Sequence, residues 1–304
     1  MPTVSSLEQA SALLQAASAA GRRVRIGPDL DLSGMARVLQ HESGDLTCTV
    51  EAGIRLSALN AVLAPAGQRL SLDPPGDPTI GACIAGNLSG PLRHRFGAPR
   101  DVVLGVTLVL ADGTIVNAGG TVVKNVAGYD LGKLVCGSRG RLALIGRVSL
   151  RLHPLPAACA SVVVQTDDPT SVAAAVLASH LVPSALDVLH PGRVAVLFEG
   201  GAAAVAAQVE ATRQLVGADV SVVSAGAAAP VWEEARARQA AAEGRARFDP
   251  RDLRRFLAGV AEAVVRPAAG VAYLPEAVPD ETTEAVRRLQ ERVRERFDPR
   301  GVLA

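Results

Sequence analysis

The chain has 304 residues, of which 49% are hydrophobic and only 3% aromatic, and its formal net charge is +1. A chain of this length can form two domains of ordinary size with a substantial buried core. The balanced charge and the few aromatic rings exclude a typical nucleic-acid-binding surface, which needs basic residues and stacking platforms.

The cysteines and the N-terminus indicate in which cellular compartment we expect the protein. The four cysteines contain no C-x-x-C pair, which favours buried, reduced thiols over a disulfide framework. The N-terminus lacks the basic and apolar regions of a signal peptide, and no apolar run has the length of a membrane span. We therefore expect a cytoplasmic protein, peripheral to the inner face of the membrane only through partners.

The first elements are a helix and a short strand. Ser5-Ser6-Leu7-Glu8 predicts a capping box with Ser5 as N-cap, and Gly21 ends the helix. The buried face follows helical spacing: Leu7, Ala10, Leu14 and Ala17. Residues 23–26 alternate as a strand, and Gly27-Pro28-Asp29 forms a tight turn.

Further strands flank a short helix. Residues 47–51 read as a strand and residues 56–64 as a helix that ends before Pro65. Two more strands, 102–110 and 114–117, surround Ala111-Asp112-Gly113, which is a hairpin signal.

The stretch from Asp73 to Leu150 is rich in glycine, threonine, serine and asparagine between short apolar runs. Glycine tolerates a positive φ and allows another backbone or a ligand to come close. Glycine turns can also direct several backbone N–H groups inward, and such nests bind phosphate oxygens. These residues predict a surface shaped around a large anionic cofactor.

Four segments of this stretch resemble a known family: PPGDPTIGACIAGNLSG, RFGAPRDVVLGV, VVKNVAGYDLGKL and GSRGRLALI. They are similar, in order, to the FAD-binding motifs of the vanillyl-alcohol-oxidase-type (PCMH-type) flavoproteins. The KNVAGYDL segment, with PPG ahead of TIG, most resembles the smaller FAD-binding subunit of bacterial glycolate oxidase. The resemblance implies an α+β protein, with a two-lobed PCMH-type FAD-binding domain over 1–156 and a ferredoxin-like cap domain over 157–304.

The resemblance also implies which residues contact a non-covalently bound FAD. They are Pro75, Thr79, Ile80, Gly81, Ala82, Ala85, Gly86, Asn87, Gly90, Arg95, Gly97, Asp101, Gly140 and Ile145. Lys124 and Tyr129 would follow near the isoalloxazine, although a solvated lysine and a packing tyrosine are the alternatives.

The turn at Gly27-Pro28-Asp29 departs from the family. Relatives carry a longer glycine-rich loop there, whose backbone amides wrap the FAD pyrophosphate. Pro28 has no N–H to donate, and an inward carboxylate at Asp29 would repel phosphate. One of two phosphate-contacting loops is therefore expected to be deleted in this chain.

The second half predicts a β–α–β–β–α–β unit. Its elements are strands at 160–165, 185–189, 194–199 and 220–223, and helices at 168–179 and 202–215. This order is that of a ferredoxin-like fold. A helix beginning near Trp232, a strand at 271–274 and a charged helix at 281–297 follow.

The sequence offers no catalytic base. None of the five histidines forms a metal-ligand pair or the H-x-G-D-G-N-type motif that the resemblance places in larger catalytic subunits. Three arginines are candidates for binding a carboxylate, although solvated or ion-paired roles are the alternative: Arg193, Arg236 and Arg238. We therefore assign neither a catalytic residue nor a metal site.

The leading hypothesis is the FAD-binding subunit of a glycolate-oxidase-like complex that oxidises a 2-hydroxy acid such as glycolate to glyoxylate. The resemblance implies a larger FAD-binding catalytic subunit and an iron–sulfur subunit as partners. Two alternatives stay open. One is a non-catalytic scaffold with a degenerate FAD site, and the other is an independent FAD oxidase, against which the lack of a base argues.

Overall fold

The computed structural model describes residues 2–120, 130–217, 220–223, 230–280 and 282–304. Helices and strands are mixed along the chain, with a five-stranded sheet in the first half and a seven-stranded sheet in the second. The predicted α+β class is confirmed. Within the described residues, no helix combines the length and the apolar character needed to cross a bilayer.

The described residues of the first half form six α-helices and seven strands. The helices are α1 Leu7–Ala19, α2 Leu56–Leu63, α3 Ile80–Gly86, α4 Arg93–Phe96, α5 Pro99–Val102 and α6 Leu131–Val135. The strands are β1 Val38–Glu42, β2 Thr47–Glu51, β3 Gln68–Arg69, β4 Val103–Val109, β5 Ile115–Gly119, β6 Leu144–Arg151 and β7 His153–Pro154. The five-stranded sheet is antiparallel in the order β1-β2-β6-β4-β5, and β3 pairs separately with β7.

Two apolar layers cover this sheet. On one side, α2 and α3 pack against alternating strand residues such as Val50, Val106 and Val148. On the other side, α1 packs with Val109 and Leu144 through the face predicted from its spacing, and the chain's Val302–Leu303 joins this cluster. The C-terminal tail therefore returns to the first half of the molecule.

In the second half, the part of the chain that the structure describes forms five α-helices and seven strands. The helices are α7 Pro169–Ala178, α8 Ala202–Val216, α9 Pro230–Ala241, α10 Leu253–Leu257 and α11 Glu284–Phe297. The strands are β8 Ala158–Gln165, β9 Ala185–His190, β10 Arg193–Gly200, β11 Val220–Val223, β12 Gly244–Arg247, β13 Ala263–Arg266 and β14 Val271–Leu274.

The seven-stranded sheet has the order β11-β8-β10-β9-β13-β14-β12, with antiparallel neighbours. Its first four strands have the 4-1-3-2 arrangement of a ferredoxin-like unit, as the element order predicts. One face packs on α7, α8 and α10. The other face carries α9 with Trp232 and receives Leu92 and Phe96 from the first half. The two halves therefore meet on this second face.

Some local predictions are wrong. The N-cap of α1 is Ser6, whose hydroxyl accepts from Gln9 N at 3.2 Å, and Ser5 instead contacts the Gln9 side chain. Residues 23–26 form only isolated bridges, including one between Val24 and Leu303, so they are not a strand. Six strands were not predicted: β1, β3, β6, β7, β12 and β13.

Candidate functional site

A cavity of about 260 Å³ lies between α3, the turn that begins at Ile26, and the segment leading into β6. Its walls are mainly glycine, alanine and aliphatic side chains. The lining comprises Ile26, Gly27, Leu32, Gly81, Ala82, Ala85, Gly86, Arg139, Gly140, Ala143 and Ile145. The cavity therefore brings together segments that are more than 100 residues apart in the sequence.

The helix α3 is fixed at both ends by its own sequence. Thr79 is the N-cap and accepts a hydrogen bond from Ala82 N at 3.2 Å. Asn87 ends the helix with a left-handed backbone, φ 47°. Gly81 lies against strand-end residue Ala52, where an added Cβ would be 3.0 Å from the Ala52 Cβ. The glycine thus allows the helix to pack directly beneath the cavity.

The turn at Gly27 lies opposite α3 in the cavity wall. Gly27 has φ +97° and lines the cavity, whereas Asp29 does not. The Asp29 carboxylate accepts from the Arg25 guanidinium at 2.8 and 3.0 Å. This hydrogen bonding lowers the pKa of Asp29 to about 2. Its negative charge is therefore held by Arg25 within the turn and is not directed at a ligand.

Arg139 lines the cavity, and its chain neighbour Ser138 and the residue after the lining Gly86, Asn87, each carry a buried polar atom. Asn87 Oδ1 and Ser138 Oγ are buried and have no hydrogen-bond partner among the described residues. Arg139 carries the only charge among the described lining residues. Buried polar groups are normally paired, so those left without a partner indicate a place for a ligand or water. An acceptor, a hydroxyl and a cation fit the ribityl and phosphate groups of a flavin nucleotide.

Six of the predicted FAD contacts meet at this cavity: Gly81, Ala82, Ala85, Gly86, Gly140 and Ile145. Three more flank it: Thr79 caps α3, Ile80 is buried at the start of α3, and Asn87 follows its end. The predicted positions on α3 and at the start of β6 therefore lie around one cavity.

The other predicted residues lie away from the cavity lining. Pro75 precedes α3 without lining the cavity. Gly90 packs so tightly against Asp73 that a Cβ would lie 1.8 Å from the Asp73 carbonyl oxygen. Asp101 accepts from Ala98 N at 2.8 Å and packs on Gly97, which has φ +79°. These residues have visible structural tasks in the loop between α3 and β4.

Arg95 reaches the second half of the chain. Its guanidinium lies 3.5 Å from both Ser184 Oγ and the Glu199 carbonyl oxygen. It also stacks over Phe96, 5.6 Å from the ring centroid. Lys124 and Tyr129, which were predicted near the isoalloxazine, lie outside the described residues.

A second polar region lies where the two halves meet. We call it the intersheet seam and define it by Arg69, Asp73, Ser89, Asp187, Glu199, Gln239, Arg266 and Tyr273. Arg69 donates two hydrogen bonds to Glu199, at 2.8 and 2.6 Å. Arg266 donates to Tyr273 Oη at 3.0 Å and to Gln239 Oε1 at 2.6 Å. The seam thus joins the halves through charge-assisted contacts.

The two aspartates of the seam are strongly perturbed. Burial raises the pKa of Asp73 to about 7 and that of Asp187 to about 6, although Arg266 opposes the effect on both. The Arg266 Nε lies 3.5 Å from Asp187 Oδ1 in a fully buried pair. The seam residues Asp73 and Ser89 lie in the loops before and after α3. No local sequence pattern indicates this cluster, because its members come from distant segments of the chain.

A larger open groove of about 460 Å³ lies between β1 and α2. Its lining is mostly apolar and contains none of the predicted site residues. Its one charged lining residue, Arg55, already donates to the Asp77 carbonyl oxygen at 2.7 Å. We therefore place the candidate site in the smaller cavity, where unpaired polar groups and the predicted contacts coincide.

Part of the chain matches known proteins. Residues 17–119 match the FAD binding domain family. The chain is 36% identical over 138 residues to glycolate oxidase subunit GlcE of Escherichia coli, covering 44% of this chain and 39% of that protein. It is also 36% identical over 165 residues to mitochondrial D-lactate dehydrogenase (cytochrome) 1 of Saccharomyces cerevisiae, covering 53% and 28% of the two. The matches therefore span less than half of each relative.

The fold extends beyond the matched sequence. The structure of alkyldihydroxyacetonephosphate synthase superposes with a TM-score of 0.72 at 16% identity, covering 99% of this chain and 75% of that one. At this identity the likeness shows the fold alone. Over residues 17–119, which are less than half of the chain, the predicted resemblance to the FAD binding domain family is confirmed, and the relatives matched over part of the chain are named as an oxidase subunit and a dehydrogenase.

Proposed function

We propose that the chain is the FAD-binding subunit of a complex that oxidises a 2-hydroxy acid such as glycolate. The observation that carries the proposal is the cavity, where six predicted FAD contacts meet beside polar groups without partners. FAD accepts a hydride equivalent in such oxidations. The relatives named for glycolate oxidase and D-lactate dehydrogenase support a small 2-hydroxy acid as the substrate.

The proposed division of labour follows from the chemistry of the cavity wall. Oxidation of a hydroxy acid needs a base for the hydroxyl proton. Among the described lining residues there is no histidine, aspartate or glutamate. We therefore place proton removal on a larger FAD-binding catalytic subunit, with electrons leaving through an iron–sulfur subunit. The complex would work in the cytoplasm, at the inner face of the membrane through its partners.

The test is to express this chain with the two partner subunits, separate them, and record the absorbance of each. Flavin bands near ~450 nm that remain with this chain support the proposal. Glycolate turnover should require all three subunits, and the isolated chain should show none. Turnover by the isolated chain would overturn the shared-catalysis account and favour an independent oxidase.

The second candidate is a non-catalytic scaffold with a degenerate FAD site. The volume of the cavity, about 260 Å³, favours it, because pockets that bury a whole ligand are usually ~300–1,000 Å³. The short turn at Gly27-Pro28-Asp29 agrees with this reading. A colourless chain that takes up no added FAD, yet is required to assemble the partners, would establish the scaffold role.

A further inference from the structure

Arg139 stands out in the cavity wall. The lining is otherwise glycine, alanine and aliphatic residues, and Arg139 is exposed to solvent at its edge. The guanidinium has no carboxylate partner among the described residues. The nearby acid of the opposite turn, Asp29, is already paired with Arg25. The cavity therefore has one cation whose charge is not neutralised by the described part of the chain.

The backbone amides at Gly27 and at the start of α3, in contrast, are already engaged. Gly27 N donates to the Leu30 carbonyl oxygen at 3.0 Å, and Gly81 N donates to that of Ala52 at 2.7 Å. Ala82 N donates to Thr79 Oγ1. Pro28 has no N–H at all. The turn and the helix start therefore offer no amide at these positions to a group that carries two negative charges.

The backbone holds Arg139 at this edge. Arg139 has a left-handed φ of +54° and lies between Gly137 and Gly140, which have φ +85° and +77°. Its N–H donates to the Ala85 carbonyl oxygen at 2.8 Å, which ties the segment to α3. Gly140 packs on Ile26, so the segment also contacts the opposite wall. A non-glycine residue in this conformation is strained, and such strain is often kept at binding sites.

We propose that the Arg139 side chain binds the pyrophosphate of FAD and makes the site selective for the dinucleotide over riboflavin. The inference rests on the proposed binding of FAD by this chain. A planar guanidinium can donate two parallel hydrogen bonds to phosphate oxygens, which backbone amides already engaged elsewhere cannot do.

The test compares FAD with riboflavin, which lacks phosphate. Dissociation constants for both are measured by flavin fluorescence for the wild-type chain, Arg139→Gln and Arg141→Gln. Arg141 is exposed in the same segment but does not line the cavity, so it controls for net charge. Arginine and glutamine at position 139 must both adopt the same left-handed backbone, so the substitution adds no new strain.

We expect Arg139→Gln to weaken FAD binding by about tenfold or more, the range of a charge-assisted hydrogen bond. Riboflavin binding should change by less than about twofold, and Arg141→Gln should leave both ligands at wild-type affinity. Equal FAD affinity of Arg139→Gln and wild type, or an equal loss for riboflavin, would overturn the role of Arg139 while FAD binding itself stands. A wild-type chain that binds neither flavin would overturn both proposals.

Discussion

The cavity and the intersheet seam are both built from distant segments, but their charged side chains differ in how they are paired. In the seam, Arg69 donates to Glu199, and Arg266 donates to Gln239 and Tyr273. Arg266 also forms an ion pair with Asp187, whose carboxylate oxygens accept no hydrogen bond in the described part of the chain. In the cavity, Arg139 has no carboxylate partner among the described residues. The difference separates groups that hold the fold together from groups that are available to a ligand.

This comparison predicts opposite phenotypes. Substitutions in the seam should lower the free energy of unfolding with little effect on FAD affinity. Substitutions in the cavity should lower FAD affinity with little effect on the free energy of unfolding.

The largest expected effect is that of Arg266→Leu in the seam. The substitution leaves the buried Asp187 carboxylate without its cation, and breaking such a pair costs about 3 to 5 kcal/mol. Urea unfolding at pH 7.5 measures the loss. Arg247→Leu, at an exposed position of strand β12 in the same sheet, is the control and should stay within about 0.5 kcal/mol of wild type. Similar losses in both variants would mean that the buried pair has no special role.

The next effect is that of Ala82→Trp in the cavity. Ala82 is exposed on α3 and lines the cavity, so an indole there would occupy ligand space without disturbing the core. We expect the FAD dissociation constant to rise at least about 100-fold, or about 2.7 kcal/mol. Ala203→Trp, at an exposed position of α8, should bind FAD like wild type. Unchanged FAD affinity in Ala82→Trp would remove the cofactor from this cavity.

The ion pair between Arg69 and Glu199 should contribute a smaller amount. The two side chains are 14% and 4% exposed and joined by two hydrogen bonds, so water screens them weakly. A double-mutant cycle with Arg69→Met and Glu199→Gln should give a coupling energy of about 2 kcal/mol. A coupling energy near zero would show that packing alone joins the two halves at this point.

The smallest effect concerns pH. The pKa of Asp73 rises from 3.8 to about 7 in the folded chain, so the folded state binds the extra proton over this range. The stabilising contribution of Asp73 to the free energy of unfolding is therefore fully present below about pH 4 and is lost as the pH rises through about 7. Because its side chain is 19% exposed, we expect a fall of about 1 to 2 kcal/mol between pH 5 and 8, less than the full shift implies.

Asp73→Asn tests this prediction, because it removes the titrating group and keeps one oxygen to accept from Leu92 N. The free energy of unfolding is measured at pH 5 and pH 8 for the variant and wild type, so that all other titrating groups cancel. The free energy of unfolding of the variant, minus that of wild type, should be more positive at pH 8 than at pH 5. An equal difference at both pH values would contradict the raised pKa.

The parts of the fold that local patterns determine were predictable. The ferredoxin-like unit followed from the order of its strands and helices, and the face of α1 followed from its 3.6-residue spacing. Residues 23–26 were wrongly predicted as a strand, because the partner of Val24 is Leu303 at the far end of the chain. Strand β12 was missed since Gly244–Arg247 has almost no apolar alternation.

The site was predictable only in part. The glycine-rich motif brought Gly81, Gly86 and Gly140 to one cavity, as the resemblance implied. Arg139 was not chosen as a contact, because the direction of its side chain depends on a left-handed backbone that the sequence does not reveal. Arg95 was also predicted as an FAD contact, but it extends to the seam, because the Glu199 carbonyl oxygen beside its guanidinium is on a strand of the second half.

The most direct measurement is a titration of the purified, isolated chain with FAD, followed by flavin fluorescence and by absorbance near ~450 nm. If the cavity is the cofactor site, wild type and Ala203→Trp bind FAD in a 1:1 complex and Ala82→Trp does not. Failure of the wild-type chain to bind FAD, or equal binding by Ala82→Trp, would contradict the assignment of the cavity to FAD.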